Sequence, residues 1–301
     1  MANNLAAFNA EMWSKSLIMN LDRKNVMLAF VDRRYEGEID GIGSVVKVRT
    51  LGNIVMEDYV STGTINYQDL IPSVETMTVS NQKAFAFLID DVDKIQNDMD
   101  LLQSYAARGA VAVGNTVDDH IFSMYSSAHA DNKVTSSGSP ITLTATTSGT
   151  SVYDNIVAAG VALSNKNCEL TDRWIVVDPK THGLLLKDTN NFTRATDKGD
   201  AVAESGVLSG GPIGPGGVGM VGRCAGFSVY VSTAIPFTSD ATNKYLPFGQ
   251  GQPIHYVSKL QNLEAIRLER SFASAIRGLL VHQAKVFTEN TKKLGYIYAA
   301  A

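Results

Sequence analysis

The chain has 301 residues, 45% of them apolar and 19% charged, and that much core-forming material excludes an intrinsically disordered protein. With 26 Lys and Arg against 30 Asp and Glu the net charge is -4, which excludes a basic, histone-like nucleic-acid binder. Two cysteines, Cys168 and Cys224, cannot build a disulfide framework and read as reduced, buried thiols.

The opening MANNLAAFNAEMWSK has no basic region before Lys15, carries Glu11 early and never forms a continuous apolar run, so no secretion signal is expected. Apolar runs elsewhere are short, Ala84–Ile89 being typical, whereas a membrane span needs about 20 apolar residues; a soluble chain is expected. Residues 1–35 show no sustained period. Trp13, Leu17, Ile18 and Leu21 suit one helical turn packed on something else, so this stretch reads as an arm without its own core.

From Gly41 the period becomes two. SVVKVRT alternates Val46, Val48 and Thr50 with Lys47 and Arg49, and Glu75–Val79 alternates again. The intervening stretch has Gly52, Gly63 and Pro72 as breakers, so a projecting β-hairpin is predicted. Lys83–Asp90 alternates Phe85, Phe87 and Ile89 and is expected to be a better-buried strand. Asp91 and Asp93 suit a helix start, and apolar or small residues from Val92 to Met124 recur every three or four positions. The spacing predicts a long helix over Gln96–Ser127, about 48 Å at 1.5 Å per residue, bent where Gly109 and Gly114 weaken it.

Residues 131–151 are rich in Ser, Thr and Gly and read as a surface loop with one short strand at Ile141–Ala145. A helix over SVYDNIVAAGVALSNKN, a buried strand at RWIVVDP and a short helix at THGLLLKD follow. Gly206–Gly226 is glycine-rich with Pro212 and Pro215 and reads as a mobile loop, followed by the strand FSVYVST. The chain from Glu264 reads as strand, turn, strand or short helix, then strand. Five cations stand against two acids from Glu269 to Gly295, while Asp90–Asp100 holds five Asp and one Lys, charges that could meet within or between copies.

Chemical motifs fail on context. Gly214–Gly219 is formally G-x-G-x-x-G, but no strong strand leads into it and no stable helix follows, so it does not define a nucleotide site. Gly206-Val-Leu-Ser209-Gly is one residue off the nucleophile elbow. His120, His129, His182, His255 and His282 form no zinc-binding spacing, and the Asp90–Asp100 acids lack the Gly and closing Glu of a calcium loop. No catalytic residue, cofactor or metal is expected.

The ordered layout carries more than any motif. RRYEGEIDGIGSVVKVRTLGNIVMEDY, QKAFAFLIDDVDKIQNDMDLLQSYAARGA with its later DDHI, RWIVVDPKTHGLLLKD and LERSFASAIRGLLVHQAKV together resemble the major capsid proteins of tailed bacteriophages with the HK97 fold, over Trp13 to about Tyr298. The resemblance implies an α+β chain divided into an N-terminal arm (1–35), an extended hairpin or E-loop (36–89), a P-domain with a long spine helix (90–150), an A-domain (151–252) and a return to the P-domain sheet (253–301). It implies a structural protein, not an enzyme, that self-assembles into pentamers and hexamers forming an icosahedral shell around double-stranded DNA. A separate scaffolding protein, a portal and a decoration protein are the implied partners. The implied location is the virion capsid, assembled in the host cytoplasm. An encapsulin-like compartment holding cargo enzymes, or an α+β ligand-binding enzyme using the glycine-rich loop, are the alternatives. The candidate inter-subunit residues are Trp13 in the arm and Lys47, Arg49, Glu57 and Asp58 on the hairpin.

Overall fold

A computed structural model describes residues 23, 25–51, 54–58, 67–69, 72–90, 101–188, 220–239, 241–268 and 273–300. Trp13, the Asp91–Asp100 acids and the glycine-rich segment up to Gly219 lie outside them.

The strands are β1 (Val31–Asp32), β2 (Val45–Thr50), β3 (Ser73–Thr78), β4 (Asn81–Asp90), β5 (Lys133–Val134), β6 (Arg173–Val177), β7 (Met220–Cys224), β8 (Phe227–Val231), β9 (Asn243–Gln250), β10 (Ile254–Arg267), β11 (Ala273–Lys285) and β12 (Leu294–Ala300). The helices are α1 (Leu101–Ser123), α2 (Val152–Asn165), α3 (Pro179–Leu186) and α4 (Thr288–Thr291). They build a six-stranded sheet in the order β5-β12-β9-β6-β8-β7, a four-stranded sheet β1-β10-β11-β4, and the separate ribbon β2-β3. The alternating and helical stretches thus give a mixed α+β fold in which strands dominate.

The six-stranded sheet is covered on both faces, which is why every residue of β6 is buried. On one face sits α2, begun by the Ser151 hydroxyl accepting from the Asp154 N–H and burying Ile156, Ala159 and Leu163. Gly160 lets the helix approach Phe227, 3.3 Å from where a Cβ would stand. On the opposite face Phe30 stacks on Trp174 at 4.2 Å and meets the edge of Tyr230 at 4.9 Å. Val117, Ile121 and Phe122 of α1 join that core. Pro179 occupies the first turn of α3, where its missing N–H costs nothing.

Several expectations change. Within the described residues α1 covers Leu101–Ser123, about 34 Å, and tightens into a 3-10 turn over Met124–Ser127 instead of continuing. It runs through Gly109 and Gly114 without a break in its helical assignment; Gly114 gives room to Asn25, whose Nδ2 would lie 2.5 Å from an added Cβ. Ile141 and Thr144 form only isolated bridges, to Ala299 and Ser151, so no strand occupies Ile141–Ala145. Met220–Gly226, assigned to the glycine-rich loop, is instead strand β7 and a two-residue turn: Cys224 pairs with Phe227 across Ala225 and Gly226, both at positive φ. β4 is an edge strand with Leu88 56% exposed, so alternation there marks a half-covered sheet edge and not the buried strand expected. After residue 253, β10 and β11 pair beside β4, whereas β12 joins the six-stranded sheet against β9.

The ribbon β2-β3 owes its attachment to one face. Val46 and Met77 point onto the four-stranded sheet, forming a small core with Ile39, Val79, Val257, Val281 and Phe287. A two-stranded ribbon is marginal in water on its own, so these contacts decide its direction.

Candidate assembly surface

The register of the ribbon sorts its side chains. Val45 pairs with Thr78, Lys47 with Thr76 and Arg49 with Val74, so these six share the face turned away from the small core. All six are exposed, Val45 at 48% and Val74 at 53%. The strand pairing ends at Thr50 and Ser73; beyond it the Gln68 side chain accepts from the Val55 N–H at 3.0 Å and donates to the Val55 carbonyl at 2.6 Å, linking the two legs of the segment at that point.

The tip is apolar and uncovered. Leu51 is 91% exposed, Ile54 70%, Val55 66%, Met56 90% and Tyr67 96%. Ile54, Val55 and Met56 are consecutive and directly precede the exposed Glu57 and Asp58. The structure brings Lys47 and Arg49 together on the stem and Glu57 and Asp58 together on the tip, all four exposed. The apolar five escaped the sequence reading, which favoured charges; their signal was an apolar run, Ile54–Met56, inside a stretch with breakers and no core partner.

Several other polar clusters lie inside the chain or at its surface away from the ribbon. Lys244, with a side chain 2% exposed, donates to both Asp178 oxygens at 2.9 Å and to the Thr181 hydroxyl at 2.9 Å. Burial pushes the Asp178 carboxyl up, but the bonds from Thr181 and Lys244 and the lysine charge outweigh it and hold the group below the usual carboxylate range. On α1, Asp118 accepts from the Met27 N–H at 2.9 Å; burial raises its pKa to about 6 against the opposing effects of that bond and Arg23. Arg23 also binds the Asn115 carbonyl at 2.6 Å and Asp119 at 2.7 Å, so the chain ahead of β1 is fastened along the helix. His282 on β11 meets His120 on α1 edge to face at 5.0 Å, and burial, His120 and Lys83 lower its pKa to about 4.

A cleft of about 730 Å³ opens between the ribbon and the six-stranded sheet, lined by Asp32, Arg34, Trp174, Tyr230, His255 and Asn290 among others. In it His255 lies 3.3 Å from Asp32 and 2.7 Å from the Asn290 amide, and Asp32 pairs with Arg34 at 2.5 Å. The imidazole thus lies between β1 and α4, hydrogen-bonded to Asn290 through Nε2, while its buried Nδ1 faces Asp32 without a hydrogen bond; burial lowers its pKa. Among the described residues no cluster of His, Cys, Asp or Glu suits a metal ion, and no helix is long and apolar enough to cross a membrane.

A long ribbon, a helix-backed four-stranded sheet and a six-stranded sheet between helices make up the fold of HK97-type phage capsid proteins. The chain matches a Mycobacterium phage Che8 structure at 23% identity with a TM-score of 0.77, over 99% of this chain and 98% of that one. The capsid structure of cyanophage P-SCSP1u matches at 14% identity and 0.74, over 100% and 95%. The capsid of Ralstonia phage GP4 matches at 13% and 0.66, over 97% and 95%. The sequence profile of the phage capsid protein family matches residues 74–287, and the chain belongs to that family. It is a structural capsid protein and not an enzyme. No curated protein matches it significantly.

Proposed function

We propose that the chain assembles into pentamers and hexamers that close an icosahedral shell around packaged double-stranded DNA. The observation that carries this is the exposure of Leu51, Ile54, Val55, Met56 and Tyr67 beyond the ribbon of a member of a capsid family: a chain that exposes such apolar side chains there is completed by its neighbours. Residues 1–35 act as the arm, 36–89 as the E-loop, 90–150 as the P-domain with α1 as its spine, and 151–252 as the A-domain. The end of the chain, 253–301, supplies β10 and β11 to the P-domain sheet. Trp13, Lys47, Arg49, Glu57 and Asp58 lie at contacts between copies. The net charge of -4 suits a wall that must not grip DNA tightly. A portal, a separate scaffolding protein and a decoration protein complete the particle, which assembles in the host cytoplasm.

Sedimentation velocity and negative-stain electron microscopy of the purified chain, alone and with a scaffolding protein, test this. Closed shells, or rings and tubes of hexamers, are the expected result. A monomer that persists under both conditions would overturn the proposal.

A further inference from the structure

The two exposed surfaces of the ribbon are complementary, yet they do not meet within one chain. From Leu51 to Asp69 the sequence holds three acids, Glu57, Asp58 and Asp69, and no Lys or Arg. The outer face of the stem holds two cations, Lys47 and Arg49, among Val45, Val74, Thr76 and Thr78, and no acid. Among the described residues no ion pair joins Glu57 or Asp58 to Lys47 or Arg49. The Gln68 side chain, bonded to both the N–H and the carbonyl of Val55, links the two legs of the hairpin beyond the end of the β2-β3 pairing. Each surface also offers uncovered apolar side chains, Val45 and Val74 on the stem and Ile54, Val55 and Met56 on the tip.

We propose that the hairpin tip of one copy seats on the outer stem face of the next copy's hairpin. Glu57 and Asp58 oppose Lys47 and Arg49, and the Ile54–Met56 run covers Val45 and Val74. The assignment rests on the hairpin being an assembly element and adds which surface receives it. A tip-to-stem contact is heterologous: each copy gives one surface and receives on the other, the arrangement that closes into rings when the rotation allows. The charges set the register and exclude the tip-to-tip and stem-to-stem pairings, which bring like charges together.

Charge exchange tests it. Lys47→Glu with Arg49→Glu, and separately Glu57→Lys with Asp58→Lys, are each expected to raise the protein concentration needed for assembly by about tenfold or more. All four substitutions in one chain are expected to restore assembly to within about threefold of the native chain, because exchanged neighbours attract again. Two double variants that fail while the fourfold variant also fails, each with an unchanged thermal midpoint, would overturn the proposal, as would a double variant that assembles normally. A second measurement does not depend on charge: Met56→Cys and Thr76→Cys chains, mixed and oxidised, are expected to give disulfide-linked dimers in assembled material, and none forming would count against the contact. Failure of the native chain to assemble at all would instead indict the shell reading itself.

Discussion

Lys244 and Asp178 make a buried ion pair that is costly to break and cheap to replace. Lys244→Met is expected to destabilise the unassembled chain by about 3–5 kcal/mol, because Asp178 is left charged and uncompensated between α3 and β9. Adding Asp178→Leu is expected to recover most of that loss, and urea unfolding of both variants checks it. Asp118 gives a pH signature of opposite sense to an ordinary salt-bridged carboxylate. Its pKa rises from 3.8 to about 6 on folding, so between those values the folded chain binds more protons than the unfolded one. Stability therefore falls as pH climbs from about 4 to about 6. Asp118→Asn keeps an acceptor for the Met27 N–H and removes the titration. The native chain is expected to lose up to about 3 kcal/mol relative to this variant between pH 4 and pH 7, at about 1.4 kcal/mol per pKa unit.

At the scale of elements, the turn between β7 and β8 contains a residue held in the left-handed region without being glycine. Ala225 has φ 47° and Gly226 φ 84°. Ala225→Gly is expected to stabilise the hairpin by about 0.5–1 kcal/mol, since alanine there meets its own carbonyl while glycine does not. Thermal unfolding reads this directly. The same turn shows where sequence reading ran out. Cys224 and Phe227 close a two-residue hairpin, but seven glycines between Gly206 and Gly219 made the segment look uniformly irregular. Strand β9 was missed for a related reason. NKYLPFGQ holds a lysine, a proline and a glycine, residues that argue against an interior strand. Each has a partner-dependent explanation: Lys244 finds Asp178, Pro247 lies beyond the β6 ladder, and Gly249 sits where a Cβ would stand 2.8 Å from Trp174 and 2.9 Å from the Lys293 carbonyl. By contrast α1, α2 and the β2-β3 ribbon were legible because a single buried face writes its period into the sequence, and β6 because a strand buried on both faces reads as a short continuous apolar run ended by a proline. Of the assembly surface, the stem charges stood out as alternation, whereas the apolar tip has no period and could be recognised only once its exposure was seen.

At the scale of the molecule, the chain divides into parts that fold on themselves and parts that wait for a neighbour. The six-stranded sheet buries both faces; the hairpin buries Val46 and Met77 and leaves its other face and its tip in solvent. Leu51→Ser with Met56→Ser is therefore expected to change the stability of the unassembled chain by no more than about 0.5 kcal/mol, since both side chains are about nine-tenths exposed. The same variant is expected to lose assembly, read by sedimentation. Loss of assembly without loss of stability is the result that distinguishes an interface from a core on this surface. The most direct measurement of the central claim is a cryo-electron microscopy reconstruction of the assembled particles. The account predicts closed shells of pentamers and hexamers in which Ile54–Asp58 of each copy is covered by an adjacent one. Shells whose hairpin tips stand free in solvent would contradict it.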